Sequence, residues 1–531
     1  MPAPADARAA AAGSPRRRRS DTAMLYRGAP DAALGVLAAL GQAPWNLWPL
    51  TVLALASLVW RMGPAPTAGA AFRRATLAGL GYFAVAMFWI VEPFLVQPEI
   101  HGWMAPFALV LTALGGALFW SLPAWVAWHI AATPRDRALA FAAMLVLSDW
   151  IRGWIFTGLP WALTGHVWIA TPAGQAGAWV GAIGLSALTM GAAALPAWAA
   201  HDPELGRASR GRAITRGLPL AAALIGAVWF AGLARLNPAL PPDPGPVLRL
   251  VQPNADQTRK WDPEWSGVFY QRLLSLTAAP AARPLSAVVW PETAAPFVLD
   301  QAGPILPDIA AAAGVPVLMG IQRSERGSWF NSLVEVTTDG RVGELYDKFH
   351  LVPFGEYIPW GDALAGLGLT AFAAQQSYGY ASGPAPQILS PTGLPAVQPL
   401  ICYEAVFSRH LRQTGGRPAW LLQVTNDAWF GTWSGPYQHL AQARLRAIES
   451  GLPLLRAANT GVSAAIDARG QVLARLGLDR EGYLDVGLPP ALPATLWWRW
   501  GNWPIVALFV GLLARLAWRR GGAVDRRFRV T

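Results

Sequence analysis

The 531-residue sequence contains a single cysteine, Cys402. One cysteine excludes an intramolecular disulfide framework and any metal site built from several cysteines, and it leaves the redox compartment undecided. The seven histidines show no metal-ligand spacing such as His-Glu-x-x-His, so we predict no metal site. Lysine is also scarce, since only Lys260 and Lys348 are lysines among the 42 basic residues. We interpret each lysine as a position where a guanidinium group would not serve.

Charged residues make up only 14% of the chain, whereas 53% of the residues are hydrophobic and the mean hydropathy is +0.31. This composition is too apolar for an ordinary soluble protein and too poor in charge for a disordered one. The net charge of +11 would suit a nucleic-acid partner, but its placement along the chain fits membrane topology better. We therefore predict a membrane protein with no nucleic-acid partner.

Long apolar stretches predict the membrane domain. A membrane-spanning helix needs about 20 apolar residues, so the first two stretches are short. We predict about eight transmembrane helices, near residues 31–42, 47–61, 72–92, 103–130, 137–157, 172–200, 214–234 and 503–518.

Basic residues are missing from every second loop between these stretches. Loops 43–46, 92–103 and 158–171 hold no lysine or arginine, whereas the loops between them are basic. Because basic loops stay on the cytoplasmic side, we predict that both termini are cytoplasmic and that the segment near 240–500 lies outside. The predicted domains are a disordered basic tail (1–24), a seven-helix membrane domain (25–240), a periplasmic domain (241–495), and a last helix with a basic cytoplasmic tail (496–531).

Asp149 and Arg152 are charged residues inside the fifth apolar stretch. Ionisable groups at membrane depth are candidates for a functional site. Their spacing of three also lets the two side chains pair on one helix face, and we favour this self-neutralising pair.

The segment from 245 to 490 has shorter apolar runs separated by turn residues, which is typical of a soluble α/β domain. Thr338-Asp339-Gly340 predicts a hairpin turn, and residues 437–450 predict a helix ended by Gly451. The strand candidates are 247–251, 287–290, 315–321, 332–336, 400–402, 420–424 and 462–466.

Cys402 follows the last apolar residue of one predicted strand, and residues 405–411 could open a helix. At such an elbow the helix dipole lowers the thiol pKa and favours a nucleophilic thiolate. The alternative is a buried cysteine that packs as a small hydrophobic residue.

Two further strand ends carry groups that a thiol nucleophile needs. Glu292 could act as the base that takes the thiol proton, and Lys348 could stabilise an oxyanion. The alternative for both is an ordinary solvated side chain at a strand end.

Several motifs around these residues resemble known families. Trp290-Pro291-Glu292, Asp347-Lys348-Phe349-His350 and Ile401-Cys402-Tyr403-Glu404 resemble the nitrilase superfamily. Three further stretches look like the bacterial apolipoprotein N-acyltransferase family, over nearly the whole chain except the basic tail. They are 351–359 (LVPFGEYIP), 251–254 (VQPN) with 260–262 (KWD), and 425–430 (TNDAWF).

This resemblance implies an α-β-β-α sandwich domain inserted before the last of eight helices, on the periplasmic side of the bacterial inner membrane. It implies that Glu292, Lys348 and Cys402 move an acyl chain from a phospholipid, typically phosphatidylethanolamine, to the amine of a diacylglyceryl apolipoprotein. Glu356, Tyr403 and Glu404 would support them, and Trp261 would bind substrate. We expect no cofactor and a monomer, with residues 372–383 and 429–437 as candidate lids.

Two other functions remain possible from the sequence. A membrane-tethered amidase or nitrilase-type hydrolase would use the same three residues with water as acceptor, although one helix would suffice to tether it. A transporter or binding scaffold is disfavoured because most helices lack charged residues along a transport path.

Overall fold

The computed structural model describes residues 16–201, 210–237, 245–359 and 379–528. Eight long helices among these residues coincide with the eight apolar stretches of the sequence. Seven precede the α/β domain and the eighth follows it. They are α1 (Arg16–Ala39), α2 (Trp48–Met62), α3 (Ala68–Ala86), α4 (Ala105–Ile130), α5 (Pro134–Arg152), α6 (Gly177–Ala200), α7 (Arg210–Leu236) and, at the end of the chain, Trp503–Phe528.

Three helical spans in the described part of the chain are long and apolar enough to cross a membrane: Pro98–Ile130, Pro172–Ala200 and Arg216–Leu236. A fourth is possible if α3 and the 3-10 helix Phe88–Leu95, which meet at a bend of 47°, form one span. The apolar helices Gly28–Ala39 and Trp48–Met62 are shorter than a single crossing requires. The count of eight membrane spans therefore stays a prediction.

Several helix boundaries differ from the sequence predictions, and two of the differences have a clear physical reason. The first helix begins at Arg16, inside the stretch 1–24 that we predicted to be disordered, whereas residues 1–15 lie outside the described residues. Arginine favours helix, and no glycine or proline separates Arg16 from the apolar part of the helix that starts near Gly28. The predicted helix 172–200 begins as a 3-10 turn and becomes α-helical at Gly177, with a break at Gly181, where φ is 66°.

The segment between the seventh and last long helices holds two β-sheets. The strands are β1 (Val247–Gln252), β2 (Ala287–Trp290), β3 (Val317–Glu325), β4 (Ser328–Val336), β5 (Val342–Asp347), β6 (Val397–Ile401), β7 (Trp420–Thr425), β8 (Leu454–Ala458), β9 (Ser463–Ile466), β10 (Val472–Leu476) and β11 (Gly482–Gly487). The first sheet has the strand order β11-β1-β2-β3-β4-β5, and the second has the order β10-β9-β8-β7-β6. Each sheet has three parallel strands, β1 to β3 and β6 to β8. Antiparallel strands flank them on both sides in the first sheet and on the β8 side alone in the second.

The two sheets pack face to face with helices on their outer sides. Helices α8 (Pro263–Ala278) and α9 (Leu306–Ala313) cover the first sheet, and α10 (Gly435–Ser450) covers the second. Successive side chains of β2 point to opposite faces of the first sheet, so both faces must be covered. Val288 packs against the outer helices, whereas Val289 belongs to the core between the sheets. This is the α-β-β-α sandwich that the sequence motifs implied.

Most of the sequence-derived elements are present. The hairpin joins β4 to β5, and α10 ends at Gly451, whose left-handed conformation (φ 67°) suits glycine. The sequence analysis missed β5, β8, β10 and β11. Of these, β10 alternates half-buried with exposed residues, and β8 carries a buried arginine, Arg456, so neither reads as an apolar run.

The α/β domain packs directly on the N-terminal helical domain through α10. The side chain of Trp161, in the loop after α5, donates a hydrogen bond from Nε1 to Gln438 Oε1 (2.6 Å). The backbone N–H of Ala182 in α6 donates to Glu449 Oε1 (2.8 Å). Gln438 and Glu449 lie near opposite ends of α10, so this helix is fixed to the N-terminal helical domain at both ends.

Candidate active site

Three strand ends bring the predicted reactive residues into one place. Glu292 follows β2, Lys348 follows β5, and Cys402 follows β6, which lies in the other sheet. All three side chains are buried, with exposed fractions of 6%, 1% and 5%. The site therefore lies between the sheets, out of contact with bulk water.

Glu292 is held by three donors. Its Oε1 accepts hydrogen bonds from Asn331 Nδ2 (2.7 Å) and Lys348 Nζ (3.2 Å), and its Oε2 accepts one from the Asn426 backbone N–H (2.8 Å). Burial alone would raise the pKa of Glu292, but the Lys348 ammonium and these donors together lower the pKa below its ordinary value. The carboxylate is therefore ionised at neutral pH and can accept a proton.

Lys348 lies between two carboxylates. Its Nζ donates to Glu292 Oε1 and, at 2.8 Å, to Glu356 Oε1. Burial alone would lower the pKa of Lys348, but Glu292 and Glu356 raise the pKa well above its ordinary value. Glu356 is itself fixed, because its Oε2 accepts from the Val352 N–H (2.8 Å) and its Oε1 from Asn331 (3.1 Å). Lys348 is therefore a permanent positive charge of fixed position.

Cys402 has a backbone φ of 51°, a left-handed conformation that is uncommon for a residue with a side chain. The segment after it consists of two 3-10 turns, Cys402–Val406 and Ser408–Arg412, so the predicted helix 405–411 is wrong. The predicted fall in the thiol pKa is also wrong. Burial, followed by the charge of Glu292, raises the pKa of Cys402. The sulfur thus carries its proton at neutral pH, and a base must remove it.

Glu404 fastens the Cys402 turn to the segment that carries Lys348. Its Oε2 accepts from the Ile401 N–H (2.7 Å), and its Oε1 accepts from Tyr346 Oη (2.7 Å) and the Phe349 N–H (2.7 Å). Burial raises the pKa of Glu404 to about 7. This carboxyl group touches the main chain on both sides of the site rather than the sulfur itself.

Tyr403 connects the turn to the N-terminal helical domain. Its hydroxyl donates to the Gly158 carbonyl oxygen (2.9 Å), in the loop after α5. Arg409 donates to the carbonyl oxygens of Gly153 and Thr157 in the same loop. The residues beside Cys402 are thus anchored in the N-terminal helical domain.

Trp261 lies half-buried beside the second lysine of the chain. Lys260 Nζ is 5.4 Å from the centre of the Trp261 ring and donates to Thr293 Oγ1 (2.9 Å), the residue after Glu292. Burial lowers the pKa of Lys260 to about 8. The predicted role of Trp261 in binding substrate stays a prediction.

Three polar residues of the site were not predicted from the sequence. Asn331 bridges Glu292 and Glu356, and Asn426 donates its N–H to Glu292. Thr425 ends β7 beside the end of β6, and its hydroxyl donates to Asp427 Oδ1 (3.0 Å). Asn426 and Thr425 belong to a motif that was noted without a role. The one sequence signal that could have pointed to Asn331 is its position as a polar residue shortly before the apolar part of β4.

Comparison with known proteins places the chain in a family. The family model for the apolipoprotein N-acyltransferase N-terminal domain matches residues 34–195, and the model for carbon-nitrogen hydrolase matches residues 248–493. The apolipoprotein N-acyltransferase of Caulobacter vibrioides is 38% identical over 498 residues, which cover 90% of this chain and 91% of that protein. The chain belongs to the apolipoprotein N-acyltransferase family. The Bradyrhizobium diazoefficiens member is 36% identical over 92% of this chain and 93% of its own.

Family membership makes the protein an acyltransferase built on a carbon-nitrogen hydrolase domain. Among solved structures, an amidase from Nesterenkonia sp. aligns with 48% of this chain and 93% of its own, with 19% identity and a TM-score of 0.35. The observed pair of sheets with outer helices agrees with the carbon-nitrogen hydrolase match.

No group of three or more histidine, cysteine, aspartate or glutamate side chains is placed to hold a metal ion within the described ranges. Of the two candidate lids, residues 372–378 lie outside the described residues. The other, 429–437, packs on the N-terminal domain at Phe430, whose ring centre is 5.0 Å from that of Trp89 and 5.6 Å from that of Trp161. Trp433, by contrast, is 72% exposed.

Proposed function

We propose that the protein transfers the sn-1 acyl chain of a phospholipid, through a thioester on Cys402, to the α-amine of the N-terminal diacylglyceryl-cysteine of apolipoproteins. One observation carries this proposal: a buried thiol, an ionised carboxylate and a charged lysine meet in a domain that rests on apolar helices. A base, an oxyanion partner and a nucleophile are what acyl transfer through a cysteine requires.

In the first step Glu292 takes the proton of the Cys402 thiol, and the sulfur attacks the carbonyl carbon of the ester. The ammonium group of Lys348 stabilises the negative oxygen of the tetrahedral intermediate. Collapse of the intermediate breaks the ester C–O bond, and Glu292 returns its proton to the departing oxygen. The products are the thioester and a lysophospholipid.

In the second step the lipoprotein amine attacks the thioester carbonyl carbon. Glu292 removes a proton from the nitrogen, and Lys348 again stabilises the intermediate. The C–S bond breaks, Glu292 gives its proton to the sulfur and the acyl chain leaves as an amide. Because the sulfur regains its proton, the enzyme returns to its starting state.

The supporting residues act on these three. Glu356 fixes Lys348, Glu404 joins the Cys402 turn to the Lys348 segment, and Tyr403 anchors that turn to the membrane helices. Trp261 would position the substrate. The contacts of the first three residues support their assignment.

We further propose eight membrane-spanning helices in the bacterial inner membrane, with the catalytic domain periplasmic and both termini cytoplasmic. The alternation of basic and charge-free loops supports this orientation. Phosphatidylethanolamine as acyl donor and a monomeric state complete the proposal. Both substrates are lipids, so the site would open sideways to the outer leaflet.

The deciding experiment is intact mass spectrometry of the purified protein after incubation with a phospholipid of defined acyl chains. We expect a gain of one acyl group in the native protein and none in Cys402→Ala. A diacylated lipopeptide should discharge the adduct and yield the N-acylated peptide. Discharge by water alone, with no acyl transfer to the lipopeptide, would instead indicate a hydrolase, and the absence of any adduct would contradict the proposal.

A further inference from the structure

Lys260 is a buried charged residue that the proposed chemistry does not use. Its side chain is 3% exposed, and its Nζ donates to Thr293 Oγ1 (2.9 Å). Thr293 directly follows Glu292 in the chain and is also buried. Lys260 therefore reaches the turn that carries the proposed base from another part of the chain, the 253–262 segment between β1 and α8.

The turn at Thr293 has a backbone conformation that needs support. Thr293 has a φ of 45°, which lies in the left-handed region and is rare for a β-branched residue. The turn also packs tightly on β3, because a side chain at Gly320 would overlap the Pro291 carbonyl oxygen and the Glu292 main chain. A strained backbone of this kind persists only where surrounding contacts hold it. The hydrogen bond from Lys260 is such a contact, and it is made to the strained residue itself.

The 253–262 segment also contacts the donor on the other side of Glu292. The Asn426 backbone N–H donates to Glu292 Oε2 (2.8 Å), and Asn426 Nδ2 donates to Gln257 Oε1 (2.6 Å). Gln257 and Lys260 belong to the same short segment. A displacement of this segment would therefore disturb the main chain of Glu292 and the donor to its carboxylate together.

Stability alone does not account for a lysine at this position. Within the described ranges Lys260 forms no ion pair, and its ammonium group donates to a neutral hydroxyl group. Burial lowers the pKa of Lys260 to about 8, although the charge of Glu292 opposes this shift. A buried charge without a close counter-charge destabilises a fold, and an apolar side chain of similar size would be more stable there. A charge kept beside a reacting group despite this cost is typical of a functional position.

We propose that Lys260 is a positioning residue that acts through Thr293 and holds the Glu292 turn, and with it the carboxylate, in place beside Cys402. The ammonium group forms a charge-assisted hydrogen bond, which is stronger than the bond of a neutral donor. This inference rests on the proposed role of Glu292 as the base. It gives a role to the second of the two lysines in the chain.

The test measures two rates on the full-length purified protein: acylation by a phospholipid and alkylation of Cys402 by iodoacetamide, both per folded molecule and followed by intact mass. Alkylation depends on the base as well, because the buried thiol keeps its proton until a base removes it. Lys260→Met keeps the length of the side chain and removes its donor. We expect it to slow both reactions about 10- to 100-fold, since a misplacement of about 1 Å can cost about 100-fold.

Variants of Thr293 test the connection between Lys260 and the turn. Thr293→Val removes the acceptor at nearly constant volume and should slow both reactions as Lys260→Met does. Thr293→Ser restores a hydroxyl group and should react at least about five times faster than Thr293→Val. The double variant Lys260→Met with Thr293→Val should be within about twofold of the slower single variant, because both changes remove one interaction. Losses that multiply in the double variant would show two independent roles and would overturn the inference.

Thr277→Val is the matched control. Thr277 is a buried threonine on α8 whose Oγ1 accepts from Trp290 Nε1 (2.8 Å), and Trp290 ends β2, the strand that leads to Glu292. This variant removes a buried hydroxyl group beside the same strand and leaves the hydrogen bonds of the 253–262 segment unchanged. We expect a lower melting temperature and native rates. Native rates in the two test variants, or equal slowing in this control, would overturn the inference.

The alkylation rate separates this inference from the proposed function. If the native protein forms no acyl adduct, the proposed function fails, yet slower alkylation in Lys260→Met and Thr293→Val, with a native rate in Thr277→Val, would still support the inference. If the native protein is acylated and Lys260→Met is acylated equally fast, only the inference fails.

Discussion

Two buried ionic clusters of this protein differ in charge balance. In the helical domain, Arg152 Nη2 donates to Asp149 Oδ1 (2.9 Å), and Asp149 Oδ2 accepts from the Thr164 hydroxyl (2.7 Å) and the Ser186 hydroxyl (2.8 Å). Each charge has its counter-charge, and the carboxylate has its remaining acceptor positions filled. This is the self-neutralising pair expected from the spacing of Asp149 and Arg152.

In the catalytic domain, one ammonium group serves two carboxylates. Lys348 contacts Glu292 and Glu356, and the thiol of Cys402 adds a group that can lose a proton. Among the groups in direct contact, two carboxylates thus face one ammonium group, and the Lys260 ammonium hydrogen-bonds Thr293 rather than either carboxylate. A balanced buried pair stabilises one arrangement of helices, whereas an unbalanced one leaves a group free to accept a proton during a reaction.

The largest expected effect comes from Glu292→Gln, which removes the excess carboxylate. We expect acyl transfer to fall about 10²- to 10⁴-fold, the range for loss of a general base, with the fold intact. Glu335→Gln is the control, because Glu335 is a buried carboxylate of the same domain that accepts only backbone N–H groups of Glu344 and Thr392. A Glu292→Gln protein as active as this control would show that Glu292 is not the base.

Lys348→Arg keeps the charge and changes its shape. The planar guanidinium cannot occupy the position of a compact ammonium between two carboxylates, so we expect about a 10²-fold loss of activity. The melting temperature should change little, because the ionic contacts with Glu292 and Glu356 can still form. Native activity in this variant would indicate that any positive charge suffices at this position.

Arg152→Met tests the balanced pair. It leaves the Asp149 carboxylate buried without a counter-charge, which should cost about 3 to 5 kcal/mol of stability. The double variant Asp149→Asn with Arg152→Met should recover part of this loss, and activity per folded molecule should stay native in both. Thermal unfolding in detergent, with activity assayed on the folded fraction, measures these effects. A loss of activity at full folding would place the pair in the catalytic machinery.

The smallest effect concerns Glu404 and pH. Burial raises the pKa of Glu404 from its ordinary 4.5 to about 7, so between these values the folded protein binds a proton that the unfolded chain has lost. Stability from this group is therefore highest below pH 4.5 and falls as pH rises to about 7. Glu404→Gln should reduce the fall in melting temperature between pH 5 and pH 7.5, whereas Glu335→Gln should not. Equal falls in the native protein and in Glu404→Gln would contradict this.

Sequence reasoning located much of the catalytic domain. One short apolar run stops before Pro291 and Glu292, and another gives way to a polar segment at Cys402. The sequence therefore predicted the ends of β2 and β6 beside these residues. Lys348 was identified from its motif, although β5, which positions it, was not predicted. The half-polar pattern Val342–Asp347 hides this strand, since only its last two residues are fully buried.

The state of Cys402 could not be predicted in the same way. A helix dipole at an elbow led to an expected low thiol pKa, but the elbow holds short 3-10 turns and the sulfur is buried. Burial and the charge of Glu292 raise the pKa instead. Local sequence does not report how much of a side chain the rest of the fold will cover.

Hydropathy, turn residues and motifs are local properties of the chain, so they were enough to predict the division into apolar helices and an α/β domain and to name the candidate reactive residues. The polar groups that surround Cys402 could be found only in the folded protein. Thr425, Asp427, His439 and Arg456 come from two strands, the end of one strand and a helix, and their hydrogen bonds form only after the second sheet and α10 have packed together. Such contacts depend on distances in the folded chain, which spacing along the sequence does not encode.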